Sequence, residues 1–173
     1  MSYPVVTHLV LTAALIGAML IMLAVYSHIL FVQQMQNMNL ALSEVAESAA
    51  REVVELVSVF TLGGGSYSYM AMTLPSTLAG QPYELQLSEE ENVLKVIARL
   101  QIYQQVRVVV TPNFGKEPVH VVGAANCAQP VEIPGLGTPL SSIRLPLPSG
   151  RPVIVAYRYG GSVCVGFAVM PQR

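Results

Sequence analysis

Residues 9–32 read LVLTAALIGAMLIMLAVYSHILFV, a run of 24 residues without Lys, Arg, Asp or Glu. As an α-helix this run would extend about 36 Å, which exceeds the roughly 30 Å hydrocarbon core of a bilayer. A cleaved secretory signal has a shorter apolar region of about 7–15 residues that follows positive charge, and neither feature is present here. The run therefore predicts an uncleaved, single-pass membrane anchor.

Charge is distributed unevenly along the chain. The first Lys, Arg, Asp or Glu is Glu44, and all nine basic and ten acidic residues lie from there onward. The mean hydropathy of +0.52 excludes an intrinsically disordered chain. Asp is absent, which excludes EF-hand loops and Asp nucleophiles. The net charge of −1 gives no basic field for a nucleic-acid backbone, so no nucleic-acid partner is expected.

The helix is expected to continue beyond the membrane. Residues 33–61 contain no Pro or Gly, and apolar residues recur there in steps of three or four, as on one face of a helix. The opposite face carries Glu44, Glu47, Arg51 and Glu55. The apolar stripe consists of Met35, Met38, Leu42, Val45, Ala49, Val53, Leu56 and Phe60.

Two interpretations of this stripe remain open. It covers one face of the domain that follows, or it also packs against copies of this chain or a partner helix. A continuous helix from about residue 4 to 61 would be roughly 85 Å long, more than a small domain can cover. Residues 1–43 are also free of Lys, Arg and Glu, so the uncharged zone extends past the bilayer. Both observations favour the stripe residues as helix-packing and assembly residues.

Beyond the helix the periodicity changes to two, which predicts strands. Gly63, Gly64 and Gly65 should end the helix as a hinge. This divides the chain into a transmembrane helix and amphipathic stalk over 1–62, the hinge over 63–65 and a β domain over 66–173. Predicted strands cover 66–74, 83–87, 93–98, 101–110, 119–123, 151–159 and 162–170.

Three hairpins are expected from these strands. Strands 83–87 and 93–98 should pair around the polar turn SEEEN, and strands 101–110 and 119–123 around the turn PNFGKEP. Gly160-Gly161 between the last two strands is the strongest hairpin signal. The predicted fold class is α+β, a long N-terminal helix followed by an antiparallel β-sandwich-like domain.

The Pro- and Gly-rich segment 124–150 is a candidate surface loop for a partner, and an ordinary long connection is an equal alternative. Its SIRLPL stretch is suited to an edge strand.

Few residues suggest chemistry. Cys127 and Cys164 are the two cysteines, and a disulfide and two buried free thiols are equally compatible with the sequence. A zinc site is not expected, because only His120 could join them and a close Cys pair is missing. Glu117 lies near His120, but no Gly-x-Ser-x-Gly nucleophile setting exists. The run Glu89-Glu90-Glu91 is interpreted as a solvated turn. We therefore predict a non-enzymatic protein without metal or cofactor.

Two stretches resemble members of the type IV pilin superfamily. VVTHLVLTAALIGAMLIMLAVYSHI at 5–29 is similar to archaeal pilin-like proteins and to the membrane-anchored stator subunits of the archaellum, and LPSTLAGQPYELQL at 74–87 is a weaker likeness. Only MSYPVVTH precedes the apolar run, without a basic leader, and this favours an accessory or stator-like subunit. The resemblance implies an assembly role and an extracytoplasmic β domain.

The expected function is thus that of a non-catalytic structural subunit of an archaeal pilus-like or archaellum-like cell-surface machinery. It would reside in the cell membrane with its C-terminal domain outside, or in an extracellular filament. Expected partners are the membrane, further copies or other pilin-like subunits, and a surface-layer protein. The alternative is a membrane-tethered binding module that recognises a surface-layer protein or surface polymer through the 124–150 loop.

Overall fold

The computed structural model describes residues 3–63, 65–90, 93–101, 105–111, 118–128 and 131–171. The chain forms two compact units, Met1–Asn39 and Leu40–Arg173. Gly64, Glu91, residues 102–104 of the predicted strand 101–110, and residues 112–117 of the predicted turn PNFGKEP, Glu117 included, lie outside the described residues.

A single helix, α1, extends from Tyr3 to Gly63. Pro4 lies in its first turn, where the missing N–H costs nothing, and Gly17 is its one glycine before Gly63. The boundary between the two units falls within α1, after Asn39. The second unit therefore contains the C-terminal part of the helix together with all the strands.

The strands of the described residues form two four-stranded sheets. In sheet A the order is β1-β7-β8-β5, and in sheet B it is β4-β3-β2-β6. The strands are β1 Tyr67–Ala71, β2 Tyr83–Glu90, β3 Val93–Leu100, β4 Val106–Val110, β5 Val119–Val121, β6 Ser142–Leu145, β7 Arg151–Tyr159 and β8 Ser162–Met170. The α+β prediction is confirmed, and among the described strand pairs β5 and β8 are parallel whereas the others are antiparallel.

Two of the three predicted hairpins are present. Strands β7 and β8 pair antiparallel around Gly160-Gly161, whose φ angles of 59° and 89° suit the tight turn that a two-residue hairpin needs. Strands β2 and β3 pair from Tyr83↔Leu100 to Glu90↔Val93. Strand β6 lies at the edge of sheet B, as the SIRLPL stretch predicts.

The third predicted hairpin, between 101–110 and 119–123, is wrong. Strand β4 pairs with β3 in sheet B, whereas β5 lies parallel to β8 in sheet A. All three residues of β5 are buried, and a parallel strand covered on both faces is typically an unbroken apolar run rather than an alternating one. The intervening segment therefore connects two sheets instead of turning back within one.

The two sheets are joined by the chain around Leu140 and Ser141. Leu140 and Phe167 of β8 exchange two backbone hydrogen bonds of 2.7 Å, and the carbonyl of Ser141 accepts one of 2.8 Å from the N–H of Leu87 in β2. A Cβ on Gly166 would lie 2.7 Å from Cγ2 of Val122 and 3.1 Å from the carbonyl oxygen of Leu140. Glycine at 166 therefore permits this crossing.

A disulfide joins Cys127 to Cys164 of β8, with Cα atoms 6.0 Å apart. It belongs to an apolar cluster on sheet A that includes Ile133, Leu136 and Val155. The bond crosses 37 positions of sequence, and in the chain-entropy account a loop of that size is worth about 3–4 kcal/mol.

Candidate functional site

The N-terminal part of α1 presents a long, uncovered apolar surface. It is the one described helix that is long and apolar enough to cross a membrane, and none of its most apolar window is buried. From Leu9 to Val32 the large apolar side chains are between 39% and 73% exposed. This surface, which we call the apolar span, can be covered by lipid or by other helices.

The stripe predicted to serve in assembly lies mostly inside the second unit. Met35 and Met38 belong to the first unit, where Met35 is half-buried and Met38 is buried. The remaining six are at most 5% exposed, and they are Leu42, Val45, Ala49, Val53, Leu56 and Phe60. Within the second unit these six are core residues of the single chain, so the part of α1 left for contacts with other helices is the apolar span.

Two contacts of the C-terminal part of α1 with sheet A involve Glu52 and Phe60. The carboxylate Oε1 of Glu52 accepts a hydrogen bond of 3.1 Å from the backbone N–H of Thr73, just after β1. The guanidinium carbon of Arg158, on β7, lies 5.8 Å from the centre of the Phe60 ring. Burial raises the pKa of Glu52 above its usual value, and the neighbouring Glu55 adds to the effect. Glu52, which lies outside the apolar stripe, therefore contributes to the packing of α1 together with the stripe residue Phe60.

Glu89 is part of a polar cluster, not of a solvated turn, and that prediction is wrong. Glu89 and Glu90 lie within β2. Oε1 of Glu89 is 2.7 Å from Nδ1 of His120 on β5, and Oε2 accepts a 3.3 Å hydrogen bond from the N–H of Val121. The amide nitrogen of Asn126 lies 3.1 Å from Nε2 of His120. Periodicity carries the missed signal, because Glu89 continues the buried row Tyr83, Leu85 and Leu87.

The cluster satisfies both nitrogens of the imidazole. If Asn126 donates to Nε2, that nitrogen accepts and Nδ1 carries the proton donated to Glu89. The His120 and Glu89 side chains are 7% and 16% exposed, so this arrangement pairs buried polar groups from two sheets. Among the described residues, no group of three or more His, Cys, Asp or Glu is placed to hold a metal ion. The geometry thus describes a structural clamp between β2 and β5.

A groove of about 380 Å³ separates α1 from β4 in the second unit. Its helix wall carries two glutamates and one arginine around an apolar floor. The lining residues are Glu47, Ala50, Arg51, Val54, Glu55, Val109, Val110 and Thr111. The groove is therefore apolar at its base and carries one more negative than positive charge.

The 124–150 segment is only partly free. Ile133 and Leu136 are buried in the cluster around the disulfide, and Leu140 pairs with Phe167. Beside it lies a cleft of about 470 Å³ lined by Tyr69, Pro134, Gly135, Leu136, Met170 and Pro171. The part of this segment around Ile133 and Leu136 packs on the β7 and β8 residues of sheet A, and the cleft lies beside it.

No family model, curated protein or solved structure matches this chain.

Proposed function

We propose that this protein is a non-catalytic subunit of a membrane-anchored cell-surface assembly, of the archaeal type IV pilus or archaellum kind. The observation that carries the proposal is the division of α1. The apolar side chains of its C-terminal part are buried in the core of the second unit, which we call the β unit, whereas the apolar span remains uncovered. The resemblance of residues 5–29 to pilin-like proteins supports the same role.

The β unit is proposed to lie outside the cytoplasm. A disulfide joins its two cysteines, and such bonds persist in oxidising spaces. In this arrangement the apolar span packs in the membrane or in a filament beside other copies or pilin-like helices. The β unit is then presented at the surface, where it can meet a surface-layer protein.

Replacement of the apolar span, residues 9–32, by an unrelated apolar sequence of equal length tests this proposal. Because the buried residue Met38 and the whole second unit from Leu40 are unchanged, the buried residues of the chain are kept in the exchange. We expect the exchanged protein to reach the membrane but to be missing from purified surface appendages, as measured by electron microscopy and mass analysis of their subunits. Normal incorporation would contradict the proposal, since any anchor would then suffice.

A second candidate, a tethered binding module, is favoured by the cleft beside Tyr69 and Leu136. It predicts that the same exchange of the span preserves function. It also predicts that Tyr69→Ala abolishes the binding of the purified protein to the surface polymer on whole cells. Tyr67→Ala, which changes the other exposed tyrosine of β1 and does not line the cleft, is the matched control.

A further inference from the structure

The disulfide lies beside the contact between Glu89 and His120. His120 of β5 is in register with Cys164 of β8, and residues in register on neighbouring strands project to the same face of a sheet. Asn126, whose amide nitrogen is 3.1 Å from Nε2 of His120, directly precedes Cys127 in the chain. The two cysteines therefore neighbour the two residues that meet in this hydrogen bond.

A short turn brings Asn126 to this position. Ala125–Cys127 form a single turn of 3₁₀ helix without a side-chain hydrogen bond at its N-terminus. The N–H of Cys127 donates to the carbonyl of Ala124 over 2.9 Å, and the N–H of Gly123 donates to that of Cys127 over 3.1 Å. These bonds are local, and one turn of 3₁₀ helix has little stability of its own. The covalent bond from Cys127 to β8 therefore fixes where the turn, and with it Asn126, lies on sheet A.

Strand β5 depends on Glu89 for its outer side. It has three residues and lies at the edge of sheet A. The N–H of Val122 donates to Val165 of β8 over 3.0 Å, and because backbone directions alternate along a strand, the N–H of Val121 points away from β8. That N–H donates to Glu89, whose other carboxylate oxygen is 2.7 Å from Nδ1 of His120. The clamp therefore holds the outer side of β5 to β2 of sheet B.

Asn126 selects the tautomer of His120 that the clamp needs. When its amide donates to Nε2, the neutral imidazole carries its proton on Nδ1 and donates it to Glu89. Without that donor the tautomer with its proton on Nε2 competes, and its Nδ1 lone pair then faces a carboxylate oxygen. Asn126 is thus a positioning residue for the contact between the sheets.

We propose that the disulfide between Cys127 and Cys164 is a redox-controlled latch that completes the clamp between sheets A and B. In the oxidised protein the bond holds Asn126 against His120, and His120 holds Glu89 at the edge of β5. In the reduced protein the turn is released and β5 separates from β2, while the rest of the β unit stays folded.

The latch closes by thiol–disulfide exchange with a disulfide oxidant. The thiolate of one cysteine attacks the oxidant to form a mixed disulfide, and the thiolate of the other attacks that cysteine's sulfur and displaces the oxidant. Two electrons pass to the oxidant, which becomes a dithiol and takes up the two protons that the cysteines lose. Both cysteines are fully buried, so exchange takes place while this edge is open. Access to an oxidant rests on the proposed location outside the cytoplasm.

The test uses the full chain in detergent micelles, either oxidised or reduced with dithiothreitol. Nitrogen-15 NMR of the imidazole reports the tautomer of His120, whose signals are those that His120→Gln removes. The oxidised protein should show a protonated Nδ1 and an unprotonated Nε2, and on reduction the two nitrogen shifts should move toward each other. Asn126→Ala should cause the same change with the disulfide intact, whereas Ala125→Ser, in the same turn, should not.

Unfolding curves provide a second measurement. In the oxidised protein Glu89→Ala should lower the equilibrium constant for folding at least about fivefold, and in the reduced protein less than about twofold. Glu52→Ala is the matched control, because Glu52 contacts sheet A near β1, and its effect should be the same in both redox states.

Three results would overturn the latch. They are an imidazole spectrum of His120 that reduction leaves unchanged, an effect of Glu89→Ala that is equal in both redox states, and loss of the amide resonances of the whole β unit on reduction. In the last case the bond would hold the entire fold and not this edge. None of these measurements depends on incorporation into appendages, so their failure leaves the proposed function standing, and normal incorporation after exchange of the apolar span leaves the latch standing.

Discussion

The carboxylate of Glu89 on β2 and the imidazole of His120 on β5 meet over 2.7 Å, although they lie in different sheets and 31 positions apart. Both side chains are largely buried. The second carboxylate oxygen of Glu89 also accepts a hydrogen bond from the backbone of Val121. One side chain of sheet B thus satisfies two donors of sheet A.

Glu89→Ala should lower the free energy of unfolding by about 1–3 kcal/mol, because it leaves the donors of His120 and Val121 buried without an acceptor. Glu89→Gln keeps one acceptor oxygen and should cost less. Thermal unfolding followed by circular dichroism measures both. Glu132→Ala, at an exposed position, is the control and should change stability by less than about 0.5 kcal/mol. Equal effects of Glu89→Ala and Glu132→Ala would show that the clamp is unimportant.

Val45→Glu should destabilise the β unit by about 3 kcal/mol or more, because Val45 is 5% exposed and a carboxylate there would be buried without a partner. Val59→Glu, on the same helix but at a residue 60% exposed, should be nearly neutral. Denaturant unfolding distinguishes the two. A stable Val45→Glu protein would mean that the stripe does not belong to the core.

A fragment beginning at Leu40 should fold without the membrane span, whereas one beginning at Ser66 should not. The first keeps the buried helix residues Leu42, Ala49, Val53 and Val57 over the strands, and the second exposes the surfaces that they cover. Amide hydrogen exchange and cooperative unfolding of the two purified fragments test this. Cooperative folding of the shorter fragment would refute the division of the chain at Leu40.

Gly166→Ala should cost about 1–3 kcal/mol, because its methyl group would meet Val122, Pro139 and Leu140 at 2.7–3.1 Å where the chain crosses between sheets. Gly63→Ala is the control, since nothing lies within 4 Å of a Cβ at that position. Melting temperatures measured side by side give the comparison. A melting temperature for Gly166→Ala equal to that of Gly63→Ala would argue against the tight crossing.

Glu52 should make the stability of the protein depend on pH. Its pKa is raised in the folded state by burial, so the folded state holds this proton more tightly than the unfolded state. Its contribution to stability is therefore greatest below the unfolded value of 4.5 and declines as pH rises through the folded pKa. Glu52→Gln should remove this decline.

The measurement for Glu52 is a series of unfolding curves from acid to neutral pH. As pH rises, the free energy of unfolding of Glu52→Gln should increase relative to that of the unchanged protein. A difference that stays constant with pH would contradict the raised pKa. Glu44→Gln, at an exposed position on the same helix, is the control.

Local sequence was sufficient wherever neighbouring residues decide the structure. The uncharged run from Leu9 to Val32 and the absence of Pro and Gly over 33–61 predict a long helix, and α1 continues through both. Gly160-Gly161 predicts the β7–β8 hairpin because a two-residue type I′ turn needs positive φ at both positions, and both glycines have it. Alternation gives the buried faces of β2 and β3.

Partners distant in sequence were decided only by the tertiary structure. Periodicity marks 106–110 and 119–121 as strands but contains no information on which strand each pairs with, so β5 beside β8 was not predictable. An acidic run looks the same whether water or His120 satisfies it, and the stripe of α1 looks the same whether a second chain or its own sheets cover it. Hydrophobic pattern determines which side chains must leave water, whereas the shape of the folded chain determines what covers them.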